Sequence, residues 1–246
     1  MAIFATSWSL PKHTWRVADP PVRPRAVAPP ADGLWRIGRG DDPLRLQEPS
    51  KVPFIPLAGN RFDSASGSYR VLYFGTSLEC CFGETLARFR PSPSVIAVIA
   101  DEWRERGFMQ LGAVPAEWRH RRSAVKVSAP SDACFLDVEH VETHQHLRTE
   151  LALGISALGL QDLDVAAMRG PDRRVTRLVG EWTFDQTDGD GRPRYAGLRY
   201  LSRVNSDWEC WAVFTETALE VKETRPITLD LPGLSVVERL FELTVH

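Results

Sequence analysis

Glu84 is the carboxylate of this chain whose sequence surroundings best suit contact with a ligand. It lies within residues 78–89 (LECCFGETLARF), which follow Ser77 and end before a proline, a pattern that predicts a helix with Ser77 as N-cap. One side of this helix gathers Leu78, Phe82, Thr85, Leu86 and Phe89. Glu84 falls on the other side, where its neighbours are the small residues Cys80, Gly83 and Ala87. A ligand could therefore approach the carboxylate closely, and the alternative is a solvated glutamate on a surface helix.

Two further side chains suit a ligand pocket by their type and position. Tyr73, in the predicted strand 69–75 (YRVLYFG), offers a flat ring and a hydroxyl, although a strand aromatic can equally be a core residue. Ser202 follows Leu198 and Tyr200 at a spacing of two, which puts all three on one face of a strand. Its hydroxyl could contact a ligand or satisfy a backbone group. No histidine adjoins it in the sequence, so nothing indicates a nucleophilic serine.

Arginine is the residue type that would hold an anion in this chain. All but four of the 30 basic residues are arginines, and the net charge of −2 creates no general attraction for anions. Any bound anion must therefore be held locally, by guanidinium groups that can donate to two oxygens at once. Composition does not single out particular arginines: Arg36 in the predicted strand 34–40 and Arg61 in the segment 59–62 (GNRF), like the others, could bind an anion or form a surface ion pair.

Other reactive patterns give weaker indications. His140 and His144 could face one metal ion from a helix, but His146 would point away from them and no third ligand is evident, so no metal site is expected. The Cys80-Cys81 pair fits packing in a helix better than thiol chemistry. The chain contains no G-x-S-x-G elbow, no P-loop and no G-x-G-x-x-G after a strand, so the familiar nucleotide folds are unsupported.

The predicted strands and helices that must position these residues do not alternate strictly along the chain, which favours an α+β fold over a doubly wound sheet. At 246 residues we expect one domain, residues 33–246, preceded by a proline-rich extended arm, residues 1–32. Further strands are predicted at residues 94–100, 133–138, 195–203 and 209–216. Helices are predicted at residues 142–157, at residues 163–182 with an interruption near Gly170-Pro171, and in the C-terminal segment VVERLFELTV.

Composition narrows the setting in which the protein works. It is 43% hydrophobic and 25% charged, as in ordinary globular proteins, and the near balance of charges argues against direct nucleic-acid binding. No apolar run is long enough to span a membrane, and the first residues lack the pattern of a secretory signal, so we expect a cytoplasmic protein. Four cysteines without a disulfide pattern agree with that expectation.

Three separate blocks together resemble one known family. They are GNRF at residues 59–62, LYF at residues 72–74 with the glutamate of FGETL eleven residues after the tyrosine, and GLRYLSR at residues 197–203. In this order they are similar to the RES family of bacterial toxins, named for its arginine, glutamate and serine, over about residues 34–214. The family usually has two glycines before its arginine, whereas Gly59-Asn60 precedes Arg61 here.

The resemblance implies an ADP-ribosyltransferase-like fold of mixed sheets with flanking helices. It also implies an enzyme that degrades NAD by breaking the nicotinamide–ribose bond through hydrolysis or phosphorolysis. By this resemblance Glu84 and Tyr73 are the expected catalytic residues, and Arg36, Arg61, Tyr73 and Ser202 are expected to bind NAD. NAD is then the substrate, with no other cofactor and no metal. A helix-turn-helix antitoxin partner is expected from the resemblance, and a homodimer is possible.

One carboxylate suffices for this chemistry. The nicotinamide leaving group is a cation that becomes neutral on departure, so no general acid is needed, in contrast to ordinary glycosidases. Positive charge develops on the ribose, and a fixed Glu84 would stabilise that state more than the ground state. Two alternatives stay open: transfer of ADP-ribose to a protein target, and a catalytically silent protein-binding module.

Overall fold

The computed structural model describes residues 22–46, 53–99 and 111–246, with only the backbone at residues 98 and 99. The first 21 residues of the predicted arm lie outside this range. The strands are β1 (Ala26–Val27), β2 (Leu34–Arg39), β3 (Val71–Gly75), β4 (Ala113–Val114), β5 (Arg122–Ser128), β6 (Phe135–Asp137), β7 (Gly197–Leu201), β8 (Glu209–Phe214), β9 (Glu220–Pro226) and β10 (Thr244–Val245). The helices are α1 (Leu78–Leu86), α2 (Pro93–Ile99), α3 (Ala116–His120), α4 (Val141–Glu150), α5 (Ala152–Ala157), α6 (Val165–Arg169), α7 (Arg173–Asp185) and α8 (Leu234–Phe241).

Eight strands form one mixed sheet in the order β1-β6-β7-β8-β3-β2-β5-β9, and β4 and β10 form a small parallel pair. Within the large sheet, β6 and β7 are parallel and the other neighbours are antiparallel. The predicted α+β class, with a mixed sheet and flanking helices in one domain, is confirmed. β1 belongs to the segment predicted as an arm, and it pairs with β6.

The sheet is nearly divided in its middle. β3 is paired with β8 along its whole length, and β2 is paired with β5 along its whole length. Between β2 and β3, by contrast, the described residues make a single pair, Trp35 with Gly75. Because the two strands separate beyond this pair, they leave room for a cleft between the two halves of the sheet.

Alternation along the strands builds a core on each face of the sheet. Leu72 and Phe74 point to the smaller cluster together with Phe135, while Tyr73 packs on the opposite side against the larger cluster beneath the helices. The prediction that residues 69–75 form a strand covered on both faces is therefore confirmed over β3. Tyr73 and α1 lie on the same side of the sheet, which brings the predicted site residues together.

One predicted strand is wrong. Residues 94–100 contribute to helix α2 as far as Ile99, and residue 100 lies outside the described residues. The hydroxyl of Ser92 accepts a hydrogen bond from the Val95 amide at 3.2 Å, and Pro93 occupies the first helical position. Ile96 is 45% exposed, so the short apolar run is not the buried strand that its composition indicated.

The other predicted elements agree with the structure to within a few residues, except that the predicted C-terminal helix ends at Phe241 and its last two residues form strand β10. The helix predicted at 142–157 is divided at Leu151 into α4 and α5, and the helix at 163–182 is divided near Gly170-Pro171 into α6 and α7. The long strands β5 and β9 were not predicted, and neither were the short elements β1, β4, β10 and α3. β9 reads EVKETRP and is mostly exposed, so it lacks the apolar pattern by which a strand is recognised. Among the described residues, no helix combines the length and apolar character needed to cross a membrane.

Candidate active site

A cavity of about 1160 Å³ opens where β2 and β3 separate. Residues 36–40 of β2 and its following turn line one side, and residues 69–75 line another. Glu84 of α1 also lines it, as do the loop segments around Arg61 and Arg203. The volume slightly exceeds the usual range for small-molecule sites, which suits an extended ligand such as a dinucleotide.

Helix α1 presents Glu84 to this cavity, as its sequence predicts. Ser77 caps the helix by accepting a hydrogen bond from the Cys80 amide at 3.1 Å, and Leu78, Phe82 and Leu86 are buried. Glu84 is exposed and lines the cavity. Its small neighbour Cys80 is not on an open face as expected. It is 1% exposed, with its sulfur 3.5 Å from that of Cys210, because α1 packs closely against the sheet.

On another side of α1, Gly83 allows the helix to pack closely against Trp208. A Cβ added at Gly83 would lie 1.9 Å from Cζ3 of Trp208, so the helix approaches the indole ring as closely as only a glycine allows. The indole nitrogen of Trp208 also donates to Oε1 of Glu79 at 2.9 Å. These contacts fix the position of the helix turn that carries Glu84.

Ser202 holds the Glu84 carboxylate. Its hydroxyl donates a hydrogen bond to Oε1 of Glu84 and accepts one from the Val204 amide at 2.9 Å. Only 1% of Ser202 is exposed, so it acts from behind the carboxylate rather than from the open cavity. Of the two roles open at Ser202, the backbone contact is present, and the contact with Glu84 is one that sequence reasoning missed.

Arg61 bridges backbone segments that are distant in the sequence. It donates from Nη1 to the carbonyl of Leu201 at 3.2 Å and from Nη2 to the carbonyl of Met168 at 2.9 Å. Its guanidinium carbon lies 4.7 Å from the centre of the Tyr200 ring. Burial lowers the pKa of Arg61, and the nearby Tyr200 and Glu139 partly oppose that shift. Arg61 therefore braces the site as well as lining it.

Arg36 likewise holds backbone segments together, here across the gap between β2 and β3. Its Nε donates to the carbonyl of Pro43 at 2.9 Å, and its Nη1 donates to the carbonyl of Tyr73 at 3.0 Å. Burial lowers the pKa of Arg36. The side chain thus links the two strands where their backbones no longer pair, and it leaves further N–H donors on its guanidinium.

Tyr73 is partly buried and lines the cavity, while its hydroxyl is engaged inside the protein. The hydroxyl donates to Oδ1 of Asp63 at 2.8 Å and accepts from the Phe62 amide at 3.0 Å. Burial and the Asp63 carboxylate raise the pKa of Tyr73 well above its ordinary value, so the hydroxyl remains protonated. The hydroxyl expected to orient a ligand instead contacts Asp63 and the loop that carries Arg61.

That loop is anchored by a carboxylate that sequence reasoning missed. Oε1 of Glu181, on α7, accepts hydrogen bonds from the Ser64 hydroxyl at 2.8 Å, from the Ala65 amide at 2.7 Å and from the Ser66 amide at 3.0 Å. Burial favours a higher pKa for Glu181, but these hydrogen bonds outweigh it and lower the pKa. The serine-rich segment SASGS was the available sequence signal, although it does not identify the distant partner.

The cavity lining is strongly basic. Among the described residues, its charged groups are two carboxylates, Asp63 and Glu84, and nine arginines: Arg36, Arg39, Arg45, Arg61, Arg70, Arg88, Arg122, Arg173 and Arg203. Sequence reasoning proposed only two of these arginines, Arg36 and Arg61. It could not single out the others, because arginine is common along the whole chain and only the tertiary structure shows which ones line the cavity. The site is suited to a polyanionic ligand.

The cysteines and histidines that were weaker candidates for catalysis or metal binding have packing or local hydrogen-bonding roles. Burial raises the pKa of Cys81 to about 12, and its sulfur lies 3.0 Å from the Trp35 carbonyl. Nε2 of His144 lies 2.7 Å from the Val138 carbonyl, and His140 accepts from the Glu142 amide at the start of α4. Within residues 22–46, 53–99 and 111–246, no group of three or more His, Cys, Asp or Glu side chains is arranged to hold a metal ion.

Two comparisons with known proteins address whether the chain belongs to a known family. A search of curated proteins found no match to the chain. The sequence model of the RES domain, in contrast, matches residues 33–232, which include Arg36, Arg61, Tyr73, Glu84 and Ser202. This match covers most of the 246 residues. It includes the cleft between β2 and β3 and the helix that carries the exposed carboxylate. The chain belongs to the RES domain family.

Proposed function

We propose that this protein degrades NAD by cleaving the bond between nicotinamide and ribose, with Glu84 as the catalytic carboxylate. The observation that carries the proposal is the exposed Glu84, held by the buried Ser202 hydroxyl, at the edge of a large cavity rich in arginine. Membership of the RES domain family supports an NAD-related enzymatic role at the level of the family.

The proposed reaction follows from the charge of the leaving group. When the C1′–N bond breaks, its electron pair leaves with nicotinamide, which becomes neutral, and positive charge develops on the ribose. The Glu84 carboxylate stabilises that charge in the transition state. Water or inorganic phosphate then adds at C1′, and attack by water releases a proton. Because the leaving group needs no proton, a single carboxylate meets the chemical requirement.

The remaining site residues bind and orient the dinucleotide. Arg36 and Arg61 each use two N–H groups on backbone carbonyls, and we assign the pyrophosphate to the remaining N–H groups on their terminal nitrogens, since the Nε of Arg61 is buried. The Tyr73 ring offers a flat surface for nicotinamide or adenine. Ser202 is a positioning residue, since it acts on the ribose through Glu84.

Replacement of Glu84 by glutamine tests the proposal. The Glu84→Gln protein should fold normally and consume NAD about a hundredfold or more slowly, because the amide keeps the shape but loses the negative charge. Chromatography of the products, with and without inorganic phosphate, measures the rate and identifies the acceptor. Glu150→Gln is the matched control, since Glu150 is an exposed carboxylate at the end of α4, and it should retain the parental rate. Consumption of NAD by Glu84→Gln at the parental rate would contradict the assignment.

Two further measurements separate this proposal from transfer of ADP-ribose to a protein and from a catalytically silent binding module. Labelled NAD incubated with cell lysate leaves label on a protein band if the protein transfers ADP-ribose, and leaves none if it hydrolyses NAD. A silent binding module would neither bind NAD in a calorimeter nor consume it.

On the family resemblance, we extend the proposal to a toxin that is neutralised by a helix-turn-helix antitoxin. Expression of the parent protein should then lower cellular NAD, while expression of Glu84→Gln should not.

A further inference from the structure

Three arginines form a separate group at one part of the cavity. Arg39 at the end of β2 lies directly opposite Arg122 at the start of β5 in the antiparallel register. Arg88 follows α1 and lies about one helical turn beyond Glu84. All three line the cavity, and Arg39 and Arg88 are exposed. Like charges placed directly opposite on paired strands are unfavourable, so this arrangement costs stability unless an anion offsets it.

The described part of the protein supplies no such anion. None of the three arginines has a carboxylate oxygen within 4.0 Å in residues 22–46, 53–99 and 111–246. The two carboxylates of the cavity lining are hydrogen bonded elsewhere, Asp63 to Tyr73 and Glu84 to Ser202. Burial lowers the pKa of Arg122, and the positive charges of Arg39 and Arg88 lower it further.

Arg122 is already held in place. Its Nη1 donates to the Trp118 carbonyl at 2.7 Å, and its guanidinium carbon lies 4.9 Å from the centre of the Trp118 ring. Trp118 is itself 5% exposed. A guanidinium fixed before a ligand arrives loses little conformational entropy on binding, which favours affinity.

We propose that Arg39, Arg88 and Arg122 form a subsite for a phosphate dianion, separate from Arg36 and Arg61. A phosphate monoester carries nearly two negative charges at pH 7 and three acceptor oxygens, which suits three guanidinium groups that line one cavity. The assignment of this subsite to the active-site cavity rests on the proposed function. Two sources supply such a dianion: the 2′-phosphate of a phosphorylated dinucleotide, which NAD itself lacks, and free inorganic phosphate.

Binding of small probes that lack the nicotinamide bond tests the subsite independently of catalysis. Calorimetry would compare inorganic phosphate, adenosine 2′-monophosphate and adenosine on the parent protein. Tighter binding of adenosine 2′-monophosphate than of the other two supports a nucleotide-borne phosphate. Equal binding of inorganic phosphate and adenosine 2′-monophosphate supports the subsite with free phosphate as its source. Failure of both phosphate probes to bind would overturn the proposal, whether or not NAD is consumed.

Variants connect the binding to the three arginines. Arg39→Gln and Arg88→Gln should each weaken binding of the phosphate probe by about tenfold, the effect of losing one charge-assisted hydrogen bond. Both residues are exposed, so these variants should fold even if Arg122→Gln does not. Arg121→Gln removes the same charge next to Arg122 but outside the cavity lining, and it should bind like the parent. Affinity for adenosine 2′-monophosphate should also fall below about pH 6, where its phosphate becomes a monoanion. Unchanged binding in both Arg39→Gln and Arg88→Gln would refute the assignment.

Discussion

Two pairs of arginines in the cleft use their charge differently. Arg36 and Arg61 donate to backbone carbonyls and so hold strands and loops together around the site. Arg39 and Arg88 are exposed at the cavity and have no carboxylate partner in the described part of the chain. A guanidinium bonded to backbone carbonyls contributes to the stability of the fold whether or not it also binds a ligand. One that has only like charges near it contributes little to stability and can bind an anion.

The largest expected effect on stability separates these two groups directly. Arg61→Ala should lower the free energy of unfolding by about 3 kcal/mol, because two carbonyls lose charge-assisted hydrogen bonds and the contact with Tyr200 is lost. Arg39→Ala should change it by less than about 0.5 kcal/mol or raise it slightly, because repulsion from Arg122 is relieved. Urea unfolding measures both. Equal destabilisation by the two variants would show that the distinction is wrong.

A smaller effect is expected at the contact between Ser202 and Glu84. Ser202→Ala should lower the free energy of unfolding by about 1–2 kcal/mol, since the Val204 amide loses its acceptor. NAD consumption should fall by about tenfold, because Glu84 loses the hydrogen bond that orients it.

The matched control is Ser206→Ala, in the same loop, where the hydroxyl accepts from Arg169 instead of contacting Glu84. Its NAD consumption should equal that of the parent. Full activity in Ser202→Ala, measured together with its stability, would mean that the carboxylate needs no support from this hydroxyl.

The smallest effect concerns the anchor of the loop that carries Arg61. Glu181→Gln should lower the free energy of unfolding by about 1 kcal/mol at pH 7, because an amide accepts less strongly than a carboxylate from the amides of Ala65 and Ser66. Folding lowers the pKa of Glu181 below its ordinary value of 4.5, so the stability it contributes is present above that value and is lost as the pH falls through the folded pKa.

The difference between the parent and Glu181→Gln should accordingly be constant from neutral pH down to about pH 5 and shrink in more acidic solution. Unfolding by urea at a series of pH values measures this. A difference that grows on acidification would contradict the lowered pKa.

Elements governed by local signals were predicted well. Helix α1 has a capping serine and an apolar stripe within one short segment, and both its start and the direction of Glu84 follow from these features. Helix α2 was mistaken for a strand because its short apolar run carries no clear period. The mostly exposed β9 escaped prediction for the related reason that its pairing with β5 depends on a distant strand.

The sequence by itself determined the α+β class and the principal strands and helices, because turn residues, caps and hydrophobic periodicity act over a few positions. The same local signals put Glu84 on the side of α1 away from its apolar stripe, whereas the other candidate site residues were proposed from the resemblance to the RES family. Only the tertiary structure decided that Ser202 meets Glu84 across 118 residues, that Arg61 reaches the carbonyl of Leu201, and which arginines converge on the cavity. Such contacts join segments that lie more than 100 residues apart in the sequence. Long-range hydrogen bonds and converging charges leave no periodic trace along the chain, so folding must bring them together before they can be recognised.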